Sequence, residues 1–303
     1  MKGGNLADKL AILGGEPVRE KPLPTINDAS GRTLGDEELA LLTEVIRSGS
    51  LFKFSGSKVQ QFEEEFAKYF GVKHAVGVTS GTAAIYCAVG ATKLNPGSEV
   101  IVTPLTDMGS IIPIIAQNCV PIFVDVDPET LNMDPKDIER KITDKTGAII
   151  AVHYHGNPCD LDPILRMAKK HDLYVIEDCA QALLAEYKGR VVGTMGHMGC
   201  FSLQQSKHIT TGDGGMSITD DDELGYTMKQ FHDKGWVRTA PGPRRYPIFG
   251  FNYRMTELQG AVGLAQLKKL PWVVERRVET ASRLTELISG IEGLYPPKVE
   301  EGN

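Results

Sequence analysis

An α/β domain on a mostly parallel central sheet, with helices on both faces, is the fold this sequence predicts. Three observations predict it. Short apolar strands alternate with helical stretches between His74 and Asp178. Several of those strands, such as HAVGV, GAIIAVHY and DLYVIED, carry consecutive apolar residues, the mark of strands covered on both faces. The 303 residues are 41% hydrophobic and 24% charged, a globular composition with room for one large domain and part of a second.

The elements follow in order. GDEELALLTEVIRSG, residues 35–49, reads as an amphipathic helix with acidic residues in its first turn. SKVQQFEEEFAKYFG, residues 57–71, is a second helix, closed by Gly71. HAVGV is a strand, GTAAIYCAVGA a helix, EVIVTP a strand and MGSIIPIIAQN a helix. VPIFVDV, GAIIAVHY and DLYVIED are strands, separated by the helices DPKDIERKI and DLDPILRMAKKH. Beyond Glu186 the rhythm shortens to two strands, CFSLQ and GGMSIT, around a lysine-bearing loop. DDDELGYTMKQFHDKG is a helix opened by aspartates, and APGPRRYPIFG a turn-rich connector. TELQGAVGLAQLKKL begins with a capping box of Thr256 and Gln259, and PWVVERRVETASRLTELISGI supplies a last, separate helix.

Composition excludes several function classes. A net charge of −6 gives no reason to expect a nucleic-acid partner. The five cysteines are scattered and odd in number, which fits a reduced, cytoplasmic protein. No signal peptide is read at the N-terminus, and runs such as SIIPIIA are too short to span a bilayer.

In open parallel sheets, ligands lie outside the carboxyl ends of the strands. Three stretches fall at such ends: TSGTAA, EDCAQA and QQSKH. Ser80, Gly81 and Thr82 follow a strand and open a helix, where free N–H groups and a close backbone approach suit a phosphate. An ordinary N-capped turn is the plainer alternative. Asp178 ends an apolar strand, so its carboxylate needs a cationic partner such as a protonated ring nitrogen, with Gln181 following on the same side. Capping a helix through CAQALLAE is the competing reading. Lys207, in FSLQQSKHITTGDGG, is an amine for an aldehyde or else a solvent-facing loop lysine. A phosphate cradle, an anion for a ring nitrogen and an amine for an aldehyde are together the three handles of pyridoxal phosphate.

Five stretches occurring in family order, TSGTAA, GNPCDLDPI, VIEDCAQA, FSLQQSKHITTGDGGM and NYRMTELQGAVGLAQL, resemble the DegT/DnrJ/EryC1/StrS family of pyridoxal-phosphate-dependent sugar aminotransferases. The resemblance covers about Gly14 to Leu270 and implies the aspartate-aminotransferase-like fold, fold type I. It implies that residues 1–250 form a large cofactor-binding α/β domain with an N-terminal helical segment. Residues 251–303 would begin a small C-terminal domain, cut short in this chain. Lys207 would hold the cofactor aldehyde as a Schiff base and shuttle the proton, and Asp178 would pair with the pyridinium nitrogen. Gln181 would contact the phenolic oxygen. Ser80, Gly81, Thr82 and Ser202 would bind the phosphate, and Asn252 would reach the neighbouring subunit's phosphate across a homodimer interface. Tyr253, in the same NYRM stretch, is a substrate candidate. The segment VTPLTDMGS places Asp107 where the family usually carries an aromatic residue stacked on the cofactor ring, so that either Asp107 faces the substrate or Met108 covers the ring.

The implied reaction moves an amino group from glutamate or glutamine to a keto-sugar or keto-cyclitol, with ping-pong kinetics. Two alternatives stand beside it. Sugar dehydratases of the same fold resemble this family with histidine at the lysine position, and His208 is next to Lys207. A relative that binds cofactor without turnover would be a regulatory or scaffolding subunit. No metal is expected: His153, His155, Cys159 and Asp160 in HYHGNPCD match no common zinc spacing, and His153 is instead a candidate for substrate contact. Arg244 and Arg245 read as a solvated loop, with contact to an anionic group as the alternative.

Overall fold

The computed structural model describes residues 9–238, 242–300 and 302–303. The start of the N-terminal stretch, residues 1–8, and Ala240 and Pro241 at the head of the predicted connector lie outside the described residues. The chain divides into two compact units, Met1–Leu34 and Gly35–Asn303. Among its described residues the first holds two single-turn 3-10 helices, Ala11–Leu13 and Ala29–Gly31, the latter capped by Asp28, which accepts from the Ser30 N–H at 2.8 Å.

The second unit runs α1 (Asp36–Ser48), α2 (Lys58–Phe70), β1 (His74–Val78), α3 (Gly81–Ala91), β2 (Glu99–Val102), α4 (Met108–Ala116), β3 (Val120–Phe123), α5 (Pro135–Lys141) and β4 (Thr146–Val152). It continues α6 (Leu161–His171), β5 (Tyr174–Asp178), β6 (Glu186–Tyr187), β7 (Arg190–Val191), β8 (Met198–Ser202), β9 (Gly215–Thr219), α7 (Asp222–Phe231) and α8 (Glu257–Ile288). Seven strands form one sheet in the order β1-β9-β8-β5-β4-β2-β3. The pairs from β8 through to β3 are parallel, and β9 is antiparallel to both β1 and β8. The predicted α/β class and its mostly parallel sheet are therefore present. The hairpin of β6 and β7 is an addition that its two-residue strands could not announce.

Successive residues of the inner strands face opposite sides, and this sorts the core into two layers. Ile149 and Val175 join Phe62, Phe66, Phe70 and Phe201 on one side. Their chain neighbours Ile150 and Ile176 join Ile85, Ile114 and Phe231 on the other. That double burial is why these strands lack polar alternation.

Two features of the helices were not read from the sequence. Ser57 makes no side-chain cap for α2. Buried Glu257 caps it from across the fold, accepting the Lys58 and Val59 N–H groups at 2.6 and 3.1 Å. Such a cap contributes about 1 kcal/mol, and the helix dipole favours its charge. The two helices expected after Thr256 are one, since α8 runs unbroken through Pro271. Proline removes one backbone bond and strains the preceding turn. Leu267, Leu270 and Val273 are buried on one face before and after it, and their shared packing holds the two halves in line. The capping box of Thr256 and Gln259 is present as expected.

A buried ion pair ties the loop before α2 to β1 and α7. Lys53 Nζ lies 2.6 Å from Glu63 and 3.0 Å from His232 Nε2, and Glu63 also accepts the Gly77 N–H at 2.6 Å. His232 Nδ1 donates to the Lys229 carbonyl at 2.7 Å, so Nε2 offers its lone pair to the ammonium. Burial, then the Lys53 charge, hold the imidazole well below its ordinary value of 6.5. A folded-state pKa below the unfolded one means that the folded chain binds fewer protons in the window between them. Stability is then full above about pH 6.5 and falls as the pH drops. The melting temperature is expected to decline between pH 6.5 and 5, with a shallower slope in His232→Gln. An equal slope in both proteins would refute the assignment.

Candidate active site

The carboxyl ends of the strands bring the predicted residues together. Ser80 follows β1 and caps α3, its Oγ accepting the Ala83 N–H at 3.0 Å. Among the described residues, the N–H groups of Gly81 and Thr82 have no acceptor. They stand at the positive end of the α3 dipole. A Cβ on Gly81 would lie 2.7 Å from the Ser202 Cβ, so glycine is what lets the end of β8 lie against the start of α3. Ser202 pairs with Gly215 of β9, where a Cβ would collide with the Ser80 carbonyl at 2.2 Å. Three chain segments thus converge on one turn because two residues lack side chains.

A second helix start joins this turn. A Cβ on Gly109 would fall 2.6 Å from Thr82 Oγ1, so the first turns of α4 and α3 abut. Ser110, in that turn, donates to Asp178 Oδ2 at 2.6 Å and so accepts from Thr106 Oγ1 at 2.7 Å. Sequence reasoning missed Ser110. Its one signal was a hydroxyl in the first turn of a helix at the strand-end layer.

Asp178 and Glu177 show how environment separates two adjacent carboxylates. Removing a carboxylate from water costs several kcal/mol, and each hydrogen bond to the charged form returns about 1.5–3 kcal/mol. Glu177 has four donors: Met195 and Gly196 N–H at 2.8 and 2.6 Å, Gly193 N–H at 2.7 Å and His153 Nε2 at 3.1 Å. Burial pushes its pKa up, but these donors win and hold it below the ordinary 4.5. Asp178 has two, Ser110 and the Ala180 N–H at 3.0 Å. Burial wins there and raises its pKa, against the opposing pull of the Ser110 and Ala180 hydrogen bonds and the charge of Lys207. Asp178 is a buried anion short of a cation. No helix follows it, so the capping alternative fails: residues 179–185 are turns, and Asp178 closes a tight turn onto Ala180.

Lys207 lies half-buried on the loop between β8 and β9, its N–H donating to the Gln204 carbonyl at 2.9 Å. That loop is anchored to α8, where Gln266 Oε1 accepts the Thr210 N–H at 3.3 Å and Gln266 Nε2 donates to Glu38 at 2.8 Å. The neighbouring His208 is pushed down to about 4, by burial and then by the charges of Arg277 and Lys207, and is neutral at neutral pH. Gln181 Oε1 accepts the His155 N–H at 3.0 Å.

Other expectations meet different surroundings. His153 has no exposed surface and so offers no face to a substrate. The Cys159 N–H occupies its Nδ1 at 3.0 Å, leaving Nε2–H for Glu177. His153, Glu177 and Cys179 are close enough to hold a metal ion, but the histidine and the carboxylate already spend their lone pairs on N–H donors, and burial pushes the Cys179 thiol up to about 12. Asp107 is exposed and caps α4, accepting the Gly109 N–H at 2.7 Å, and Met108 beside it is 53% exposed. Asn252 is exposed. Tyr253 stacks on Phe251, its carbonyl accepts the Thr79 N–H at 3.1 Å, and burial raises its phenol to about 12.

The sequence profile of the DegT/DnrJ/EryC1/StrS aminotransferase family matches residues 32–303. The chain belongs to this family. It is 42% identical to GDP-perosamine synthase from Caulobacter vibrioides, over 92% of this chain and 79% of that protein. Among solved structures, an aminotransferase from Psychrobacter cryohalolentis superposes with a TM-score of 0.83 at 39% identity, covering 89% of this chain and 71% of that one. The Escherichia coli GDP-4-keto-6-deoxy-D-mannose-3-dehydratase, with bound hydrated pyridoxal phosphate, superposes with a TM-score of 0.79 at 31% identity, covering 86% and 72%. The aminotransferase family and its pyridoxal-phosphate-dependent fold are those the sequence motifs implied. No helix among the described residues is long and apolar enough to cross a membrane.

The residues present fit this cofactor. A buried carboxylate short of a cation, a glycine turn with unspent N–H groups and a half-buried lysine whose charge is felt at that carboxylate lie in one strand-end layer.

Proposed function

We propose that this protein is an aminotransferase that moves an amino group from glutamate or glutamine to a keto-sugar or keto-cyclitol. The observation that carries the reading is Asp178, a buried carboxylate with too few donors for its charge, with the Lys207 ammonium among the groups that favour its ionised form. When bound, pyridoxal phosphate supplies an aldehyde for amines and a ring that takes up the electrons of a carbon losing its proton. Asp178 keeps the ring nitrogen protonated, and Ser110 fixes the orientation of that carboxylate. The Lys207 amine would hold the cofactor's aldehyde and would supply the base that carries the proton. Gly81, Thr82 and Ser202 receive the phosphate at the α3 terminus, and Gln181 meets the phenolic oxygen.

The wider arrangement is proposed with it. A homodimer brings Asn252 to the partner subunit's phosphate, and its exposure here suits that role. Residues 1–250 act as the cofactor-binding domain and 251–303 begin a second one. The protein works in the cytoplasm without nucleic-acid partners, and its five buried, unpaired thiols fit a reducing compartment. Lysine at position 207 favours amino transfer over the dehydratase reading, because a primary amine both holds an aldehyde and moves the proton.

The test begins with the protein loaded with pyridoxal phosphate. Its visible band is expected to shift when glutamate or glutamine is added and to return when a keto-sugar acceptor follows. Borohydride reduction before the donor is added should place the cofactor on the peptide containing Lys207. A band that no amino donor changes would point to a silent binder, and a label scattered over surface lysines would remove the site.

A further inference from the structure

The chain after β4 folds into a strained turn that the chemistry above leaves unexplained. His155 has φ 52° and ψ 24°, the left-handed region that residues with a Cβ enter only at a cost, and Gly156 follows at φ 86°. His155 is exposed, so burial of its side chain does not offset that cost. A buried amide holds the turn in place. Asn132, 3% exposed on the segment between β3 and α5, accepts the Tyr154 N–H at 3.1 Å and donates to the carbonyls of Asn157 and Pro158 at 3.0 and 3.1 Å. Asn132 is itself anchored, its carbonyl accepting the Asp127 N–H at 2.8 Å.

What the strained residue does is meet Gln181. A Cβ on Gly156 would lie 3.3 Å from the Gln181 carbonyl, so the two turns abut, and the His155 N–H reaches Gln181 Oε1 at 3.0 Å. A backbone N–H can only donate, so it takes the amide oxygen and fixes which way that amide is turned. The Nε2 end is left over, and among the described residues it has no acceptor. Gln181 directly follows Ala180, whose N–H holds Asp178, so the clamped amide and the buried carboxylate share one short turn.

We propose that Asn132 is a positioning residue for the cofactor: by clamping the turn at 154–158 it presents the His155 N–H to Gln181 Oε1, so that Gln181 offers an N–H donor, and not its oxygen, to the cofactor's phenolic oxygen. This rests on the reading that Gln181 meets that oxygen, and adds the direction of the hydrogen bond and the residue that sets it. A phenolic oxygen without its proton is an acceptor. An N–H strengthens the contact, whereas an amide oxygen turned toward it would repel.

The test titrates the cofactor-free full chain in a calorimeter with pyridoxal phosphate and with 3-deoxypyridoxal phosphate, which lacks the phenolic oxygen. The ratio of the two Kd values reads the contact. It is expected to favour pyridoxal phosphate in the wild type and to fall about tenfold in Gln181→Ala, Asn132→Ala and Asn132→Asp. Asn132→Asp keeps the shape and the acceptor for Tyr154 but sets a carboxylate against two carbonyls. Gln181→Glu, which offers only acceptors when ionised, should lower the ratio further, and a ratio retained there would refute the direction of the bond. A role confined to stability weakens both ligands equally and leaves the ratio unchanged. A ratio lost in Gln181→Ala but kept in both Asn132 variants therefore overturns this inference alone. A ratio kept in Gln181→Ala overturns it together with the phenolic contact beneath it, and a wild type that binds no pyridoxal phosphate sinks the cofactor reading as a whole. Melting curves are recorded first: Asn132→Asp carries the test if Asn132→Ala does not unfold cooperatively, and if neither does, Asn132 is a folding residue and the inference fails.

Discussion

Replacing Lys207 with alanine is expected to lower transamination by about 10⁴-fold or more, because one amine serves as both covalent anchor and proton carrier. The fold should tolerate the change. Lys207 sits half-buried on a loop, and the bonds that anchor the loop, from its own N–H to Gln204 and from Thr210 to Gln266, are backbone donors that alanine leaves in place. The melting curve without cofactor should therefore move little, while borohydride no longer fixes label to the 207 peptide. If the variant keeps more than about a tenth of its rate, a change of under ~1.4 kcal/mol in the barrier, the amine at work is another lysine.

Asp178→Asn should produce the second-largest loss, about 10²–10³-fold in kcat, the scale of removing one preorganised electrostatic partner. Its stability effect has the opposite sign. A raised folded-state pKa makes a carboxylate's contribution favourable below its unfolded value and unfavourable once the pH rises through the folded one. The cofactor-free wild type thus carries a penalty at neutral pH that asparagine lacks. The amide still accepts from Ala180 and can donate to Ser110. The cofactor-free variant should melt no lower than wild type, and the gain in melting temperature on adding pyridoxal phosphate should shrink. A large drop in the cofactor-free melting temperature would make Asp178 a structural residue and remove it from the chemistry.

Much of the fold was legible because its signals are local. β1, β4 and β5 are apolar at consecutive positions, and Gly49 and Gly71 end α1 and α2 with positive φ values of 69° and 68°. Both follow from rules acting over a few residues. The strand-turn-helix at Ser80 and Gly81 and the loop placement of Lys207 were legible for the same reason, since both are patterns along the chain. The break assumed at Pro271 was wrong because local propensity lost to the packing of Leu267, Leu270 and Val273.

By itself, the sequence determined the alternation of strands and helices, the strand-end stretches and the residue types available for the cofactor. Only the tertiary structure decided what each charge would do. Glu177 and Asp178 are adjacent and chemically alike, yet one meets four donors and the other two, and their pKa values move apart. Glu257 caps a helix that begins far upstream of it, and Arg238 and Arg254 share one carboxylate. Desolvation and hydrogen bonding depend on which groups arrive in space, and no pattern along the chain records those arrivals.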